Sequence, residues 1–150
     1  MRAHPCGLPS LRRLLAASLV LFLAAAPTFA EDEGGGEETD PIDAALSQCL
    51  DAPDGQSTQG MVECLSAAYQ SWDAALNEEY RSLMDSLEPA QKDALKASQR
   101  QWIAYRDSEQ KFLRSLVTPD AGTIIRVTTN QAMVDMVKAR VLLLRSYSSG

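Results

Sequence analysis

Residues 101–110, QWIAYRDSEQ, set an arginine where an apolar side chain is expected. Counted at helical spacing, Leu95, Trp102 and Leu113 share one stripe, and Arg106 falls in the middle of it. A permanent charge on an inward stripe needs a carboxylate and further acceptors, because an unpaired buried charge costs several kcal/mol. The question is which part of the chain supplies them.

Upstream, Leu65, Ala68, Trp72, Leu76, Leu83 and Leu87 mark the buried face of a long helix from about Thr58, its expected cap, to about Leu87. Pro89 marks a break or sharp bend, and helical patterning resumes at once from Gln91 to about Val117. A chain reversal at Glu88-Pro89 sets Trp102 opposite Ala75-Leu76, Leu113 opposite Cys64-Leu65, and Arg106 opposite Ser71 to Asp73. Asp73 is then the expected partner of Arg106, with Asn77 or Tyr80 completing its hydrogen bonds. Arg140 repeats the pattern between Val137 and Leu144 and is expected in the same polar layer. That layer has two readings. It sets helix register, or it forms a ligand site from Asp73, Asn77, Tyr80 and Arg106.

Two shorter helices complete the pattern. Asp40-Pro41 is a cap followed by proline at the first helical position, and Ile42, Ala45, Leu46 and Cys49 follow at helical spacing to about Leu50. The turn residues of Asp51 to Gly55 end that helix, and those of Thr118 to Gly122 precede a last one from about Val127 to Tyr147. Met133, Val137, Val141 and Leu144 are its inward residues. No segment alternates with period two. The expected fold is all-α: an antiparallel long-helix hairpin with two shorter helices packed on it and one disulfide.

The N-terminal segment has export features. Arg2, Arg12 and Arg13 precede an apolar run from Leu14 to Ala26, and Thr28-Phe29-Ala30 ends it with small residues. Residues 1–30 therefore form an expected signal peptide, cleaved before Glu31. The apolar run is shorter than the roughly 20 residues of a membrane span. Cys6 lies ahead of the run, so no lipid-anchor cysteine follows it, and a soluble periplasmic or secreted product is expected. Residues 31–40, rich in acids and glycine, form an expected disordered leader before a helical domain at 41–148.

Cleavage changes the charge. Lys+Arg falls from 14 to 11 against 20 acidic residues, taking the net charge from −6 to −9, and the one histidine, His4, leaves with the signal. Such acidity disfavours nucleic acid and anionic lipid and favours cationic partners. Cys49 and Cys64 remain as an even pair, for which an oxidising compartment implies a disulfide. Closing that loop stabilises by about 3 kcal/mol in the chain-entropy model. The spacing is not C-x-x-C and no histidine remains, so neither a metal site nor a redox pair fits. Met61, Met84, Met133 and Met136 are expected to fill the core rather than bind copper. With no nucleophile elbow, phosphate-binding loop or zinc spacing, no catalytic residue, cofactor or metal is expected.

The ordered set Cys64, Trp72-Asp73, Leu76-Asn77, Tyr80, Gln99, Trp102, Arg106-Asp107, Arg140 and Leu144 resembles the lysozyme-inhibitor LprI-like N-terminal domain family. These are exported bacterial helical domains, and the resemblance runs from about Cys49 to Leu144. It implies a binding protein that inhibits lysozyme by protein–protein contact. Lysozyme or another cationic envelope protein is the implied partner, and the exposed turns Asp51 to Gln56 and Pro119 to Thr123 are the candidate inserting loops. The alternative is a general periplasmic binding or scaffold module for another envelope protein or a small ligand. Family members often carry a further cysteine pair where this chain has Gln110 and Ala132. Its loss implies a looser tie between the third and fourth helices.

Overall fold

The computed structural model describes residues 39–148. The signal-peptide and leader readings, apart from Thr39 and Asp40, lie outside them. Four α-helices follow in order: α1 Pro41–Asp51, α2 Thr58–Ser86, α3 Pro89–Ser115 and α4 Ile124–Ser148. A short 3-10 turn, Pro53–Gln56, joins α1 to α2. No strand occurs among the described residues.

Local chemistry sets the helix ends. Asp40 accepts from the Ile42 N–H at 2.8 Å with Pro41 at the first position, so α1 starts where its cap predicts. At α2 the cap is one residue earlier than expected. Ser57 Oγ accepts from the Gly60 N–H at 3.0 Å, and Thr58 is already helical. Pro89 starts α3 rather than interrupting a longer helix, because its missing N–H is unneeded in the first turn. The Gln91 side chain accepts from the Glu88 N–H at 3.0 Å and closes that end. α4 begins at Ile124, before the expected Val127, because the polar Arg126 and Thr128 lie on its solvent side.

The core belongs chiefly to α2 and α4. Leu65, Ala68, Trp72, Leu76 and Leu83 of α2 pack with Val134, Val137, Val141 and Leu144 of α4, and α3 adds Leu95. These two helices run closest together, since alanine and valines at the seam let their axes approach. α3 folds back along α2 as the other arm of the hairpin, but it stands off. Its inward positions between Leu95 and Leu113 hold Gln99, Trp102, Arg106 and Gln110, which are too long for close contact. Those long side chains carry the register: Gln110 Nε2 donates to the Tyr69 hydroxyl at 2.6 Å, and Arg106 Nη1 lies 3.5 Å from Asp73 Oδ1.

α1 docks through Ile42 and Leu46, while Ala45 and Cys49 are exposed, against the spacing-based expectation for both. An eleven-residue helix needs little buried width when charge and a disulfide hold it as well. Lys138 Nζ of α4 donates to Asp43 at 2.6 Å, and Cys49 bonds to Cys64 with the Cα atoms 5.7 Å apart.

Candidate functional site

Two places collect the functional side chains singled out by the sequence. The first is the α1–α2 corner. Asp51, Pro53, Asp54 and Gln56 are exposed there, and Glu63 projects from the first turns of α2. Gly55 and Gly60 are buried in it: a Cβ on Gly55 would run into the Cys49 carbonyl, and one on Gly60 into the Asp54 carbonyl. The Gln56 side chain donates to the Leu50 carbonyl. Disulfide, glycine packing and this bond together fix the corner's backbone and leave its acids outward. Asp51, Asp54 and Glu63 have no basic partner among the described residues; Glu63 accepts only from Gln59, at 2.7 Å. The other candidate turn, Pro119 to Thr123, is held by backbone bonds such as Ala121 N–H to the Thr118 carbonyl, and Gly122 has open space around it.

The second place surrounds Trp102, half-buried on α3. Arg106 lies over its ring with the guanidinium carbon 5.4 Å from the centroid, and Arg140 of α4 lies at 5.9 Å. Arg106 does not sit sealed in the seam. It donates through Nε and Nη2 to Asp107 at 3.0 and 2.9 Å, and its longer contact to Asp73 is partly open to water. Asn77 is exposed and donates to the Asp73 carboxylate at 3.2 Å rather than receiving Arg106. Tyr80 packs against the core and makes no hydrogen bond to Arg106. The expected Arg106–Asp73 contact is therefore present but long, and it continues to Asn77 as a chain along one surface edge, with Tyr80 outside it. The reason is reach: an arginine leaves a stand-off seam easily and finds water and Asp107.

Arg140 is the arginine that is buried, at 7 % exposure. Its Nε donates to Gln99 Oε1 at 3.0 Å and its Nη2 to the Ser98 hydroxyl at 3.2 Å. Both partners are neutral, and no carboxylate pairs with it among the described residues. Burial accordingly pushes its guanidinium below the ordinary arginine value. Helical spacing places Arg140 inward but does not by itself single out Ser98 and Gln99 as its partners. The signal was present, since Gln99 falls on the stripe of Leu95 and Trp102. Beside Trp102 and Arg140 a groove of about 540 Å³ opens between α3 and α4, lined mainly by apolar atoms. Ala132 lies in its wall, whereas Gln110 turns to Tyr69 and Arg114. Among the described residues no helix is long and apolar enough to cross a membrane.

The ordered signature from Cys64 to Leu144 runs through both the core and this partly open polar layer, and a family profile described as "Lysozyme inhibitor LprI" matches residues 49–144. The chain belongs to the LprI family. No curated protein matches it. Among solved structures it is similar to an uncharacterized protein from Burkholderia thailandensis, at 31 % identity and a TM-score of 0.67. That likeness covers 71 % of this chain and 52 % of the other, so the LprI chain spans about half the length of that relative.

Proposed function

We propose that this LprI-family chain is exported and inhibits lysozyme by protein–protein contact, presenting the corner Asp51 to Gln56 to a cationic enzyme. One observation supports the corner above all. It is the rigid, outward and acidic segment of the fold, held by the adjoining Cys49–Cys64 disulfide and by two tightly packed glycines. A preformed loop loses little conformational freedom on binding, which favours affinity. Its unpaired carboxylates would steer a basic surface onto it.

The distribution of charge sharpens this reading. Of the 20 acidic residues, Glu31, Asp32, Glu33, Glu37 and Glu38 precede the helices, leaving fifteen acids against eleven bases from Thr39 to Ser148. Steering by the helical body is therefore local to its unpaired acids rather than a property of the whole surface.

The experiment is a lysozyme turnover assay with the purified exported chain, run across salt concentrations. Inhibition should weaken as salt screens charges beyond about 8 Å. It should fall further when Asp51→Asn, Asp54→Asn and Glu63→Gln are combined. Full lysozyme activity at a large excess of the chain would refute the proposal, and an envelope protein captured in its place would favour the scaffold role.

A further inference from the structure

The charges near the two tryptophans do not balance in the same way. Lys138 and Arg145 lie near Trp72, and each has a carboxylate: Asp43 for the first, Asp40 and Glu79 for the second. Near Trp102, Arg106 has Asp73 and Asp107. Arg140 alone of these four has only neutral partners, and its Nη1 makes no hydrogen bond among the described residues. It lines the α3–α4 groove.

The same groove holds the opposite imbalance. Glu109 of α3 and Asp135 of α4 line it, and neither has a basic partner among the described residues; Asp135 accepts from Gln131 at 2.8 Å. They do not pair with Arg140 because they lie farther along the helices. At about 1.5 Å per residue, Asp135 is about 8 Å along α4 from Arg140, and Glu109 is about 10 Å along α3 from Trp102. Between these charges the groove is lined by Tyr105, Met136 and Ala139, and Leu113 and Leu143 extend its apolar wall beyond them. Its volume is in the usual range for small-ligand sites, roughly 300–1,000 Å³.

A cation and two carboxylates set apart along one groove, with apolar surface between and beyond them, define a ligand. It must carry an anion and an amine about 10 Å apart across an apolar body. An extended chain spans up to about 3.3–3.6 Å per residue, so three residues with free ends fit that separation. We infer that the α3–α4 groove binds a short apolar peptide with free termini, its carboxylate on Arg140 and its amine between Glu109 and Asp135. A planar guanidinium suits a carboxylate, and burial beside Trp102 strengthens the pairing. The site shares no residue with the α1–α2 corner, so it stands or falls independently of lysozyme inhibition.

Calorimetric titration of the purified chain with the tripeptide Ala-Leu-Leu tests this. The free peptide should bind, its C-terminal amide should bind at least tenfold more weakly, and its N-acetyl form should be several-fold weaker. The smaller second effect follows from the greater exposure of Asp135. Ala139→Trp, a change at an exposed position in the groove wall, should abolish binding while circular dichroism shows an intact fold. Arg140→Gln should lose the preference for the free carboxylate; if that variant does not fold, Ala139→Trp decides the location. No heat from the free peptide at millimolar concentration would overturn the inference. So would equal affinity of either capped peptide, or unchanged binding to Ala139→Trp.

Discussion

Trp72 and Trp102 each have two cations within about 6 Å of the ring, yet they organise two different kinds of place. Trp72 is wholly buried between α2 and α4, and its cations are tied to carboxylates that belong to other helices. Arg145 joins Asp40 and Glu79 at 2.7 and 2.8 Å, which raises its guanidinium above the ordinary value and links α4 to α2 and to the cap of α1. Trp102 is half-buried, one of its cations is paired at the edge, and the other is buried among neutral groups. The difference teaches that the cluster around Trp72, where α1, α2 and α4 meet, pairs its own charges, whereas the α3–α4 side leaves charge unspent beside a groove. Closed charge supports the fold, and unspent charge is available to a ligand.

Substituting the tryptophans should separate the two sides most widely. Trp72→Ala should lose about 3–5 kcal/mol by chemical denaturation, and Trp102→Ala about 1–2, since a half-open ring leaves no sealed cavity. Trp72→Phe should be far milder than the alanine change, because the indole N–H it removes has no hydrogen bond among the described residues. Equal losses for the two alanine variants would erase the contrast.

Next in size is the buried arginine. Gln99→Leu alone should cost about 2–3 kcal/mol by removing the acceptor of a buried charge. Adding Arg140→Met should recover most of that loss, because an apolar pair can replace an ill-compensated buried charge. A double variant no better than Gln99→Leu would mean that Arg140 is paired by something other than Gln99.

On the closed side, acid is the probe. Burial pushes the Asp40 carboxyl up, but the bonds from Arg145 and the Ile42 N–H outweigh it and hold the group below its ordinary 3.8. A lowered folded value means the contribution is complete above that ordinary value and is lost as pH falls through the folded one. Asp40→Asn keeps the cap but removes the charge. It should cost about 1 kcal/mol at pH 7, and its disadvantage should shrink in urea titrations taken below about pH 4. A pH-independent deficit would remove the ion pair from the account.

The smallest effect belongs to the Asp73–Arg106 contact. Asp73 and Arg106 are partly open to water and 3.5 Å apart, so a double-mutant cycle with Asp73→Ala and Arg106→Met should give a coupling below about 1 kcal/mol. A coupling of several kcal/mol would place Arg106 in a sealed seam like that of Trp72.

Helix class, helix order and the Cys49–Cys64 pair were legible in the chain itself, because periodicity, caps and an even cysteine count are local properties. Leu65, Trp72, Leu76 and Leu144 were legible as core for the same reason. Much of the reversal was legible too, since Pro89 sets where α3 can start. Only the tertiary structure decided how far each helix stands from the next. Spacing places Arg106 and Arg140 on inward stripes alike, and both are long enough to reach past their own helix. Where α4 meets α3, Arg140 is buried against Gln99 and Ser98, while the wider gap between α2 and α3 lets Arg106 turn to the edge and Asp107. Inward direction follows from the 3.6-residue repeat; burial depends on inter-helix distance, which no single helix encodes.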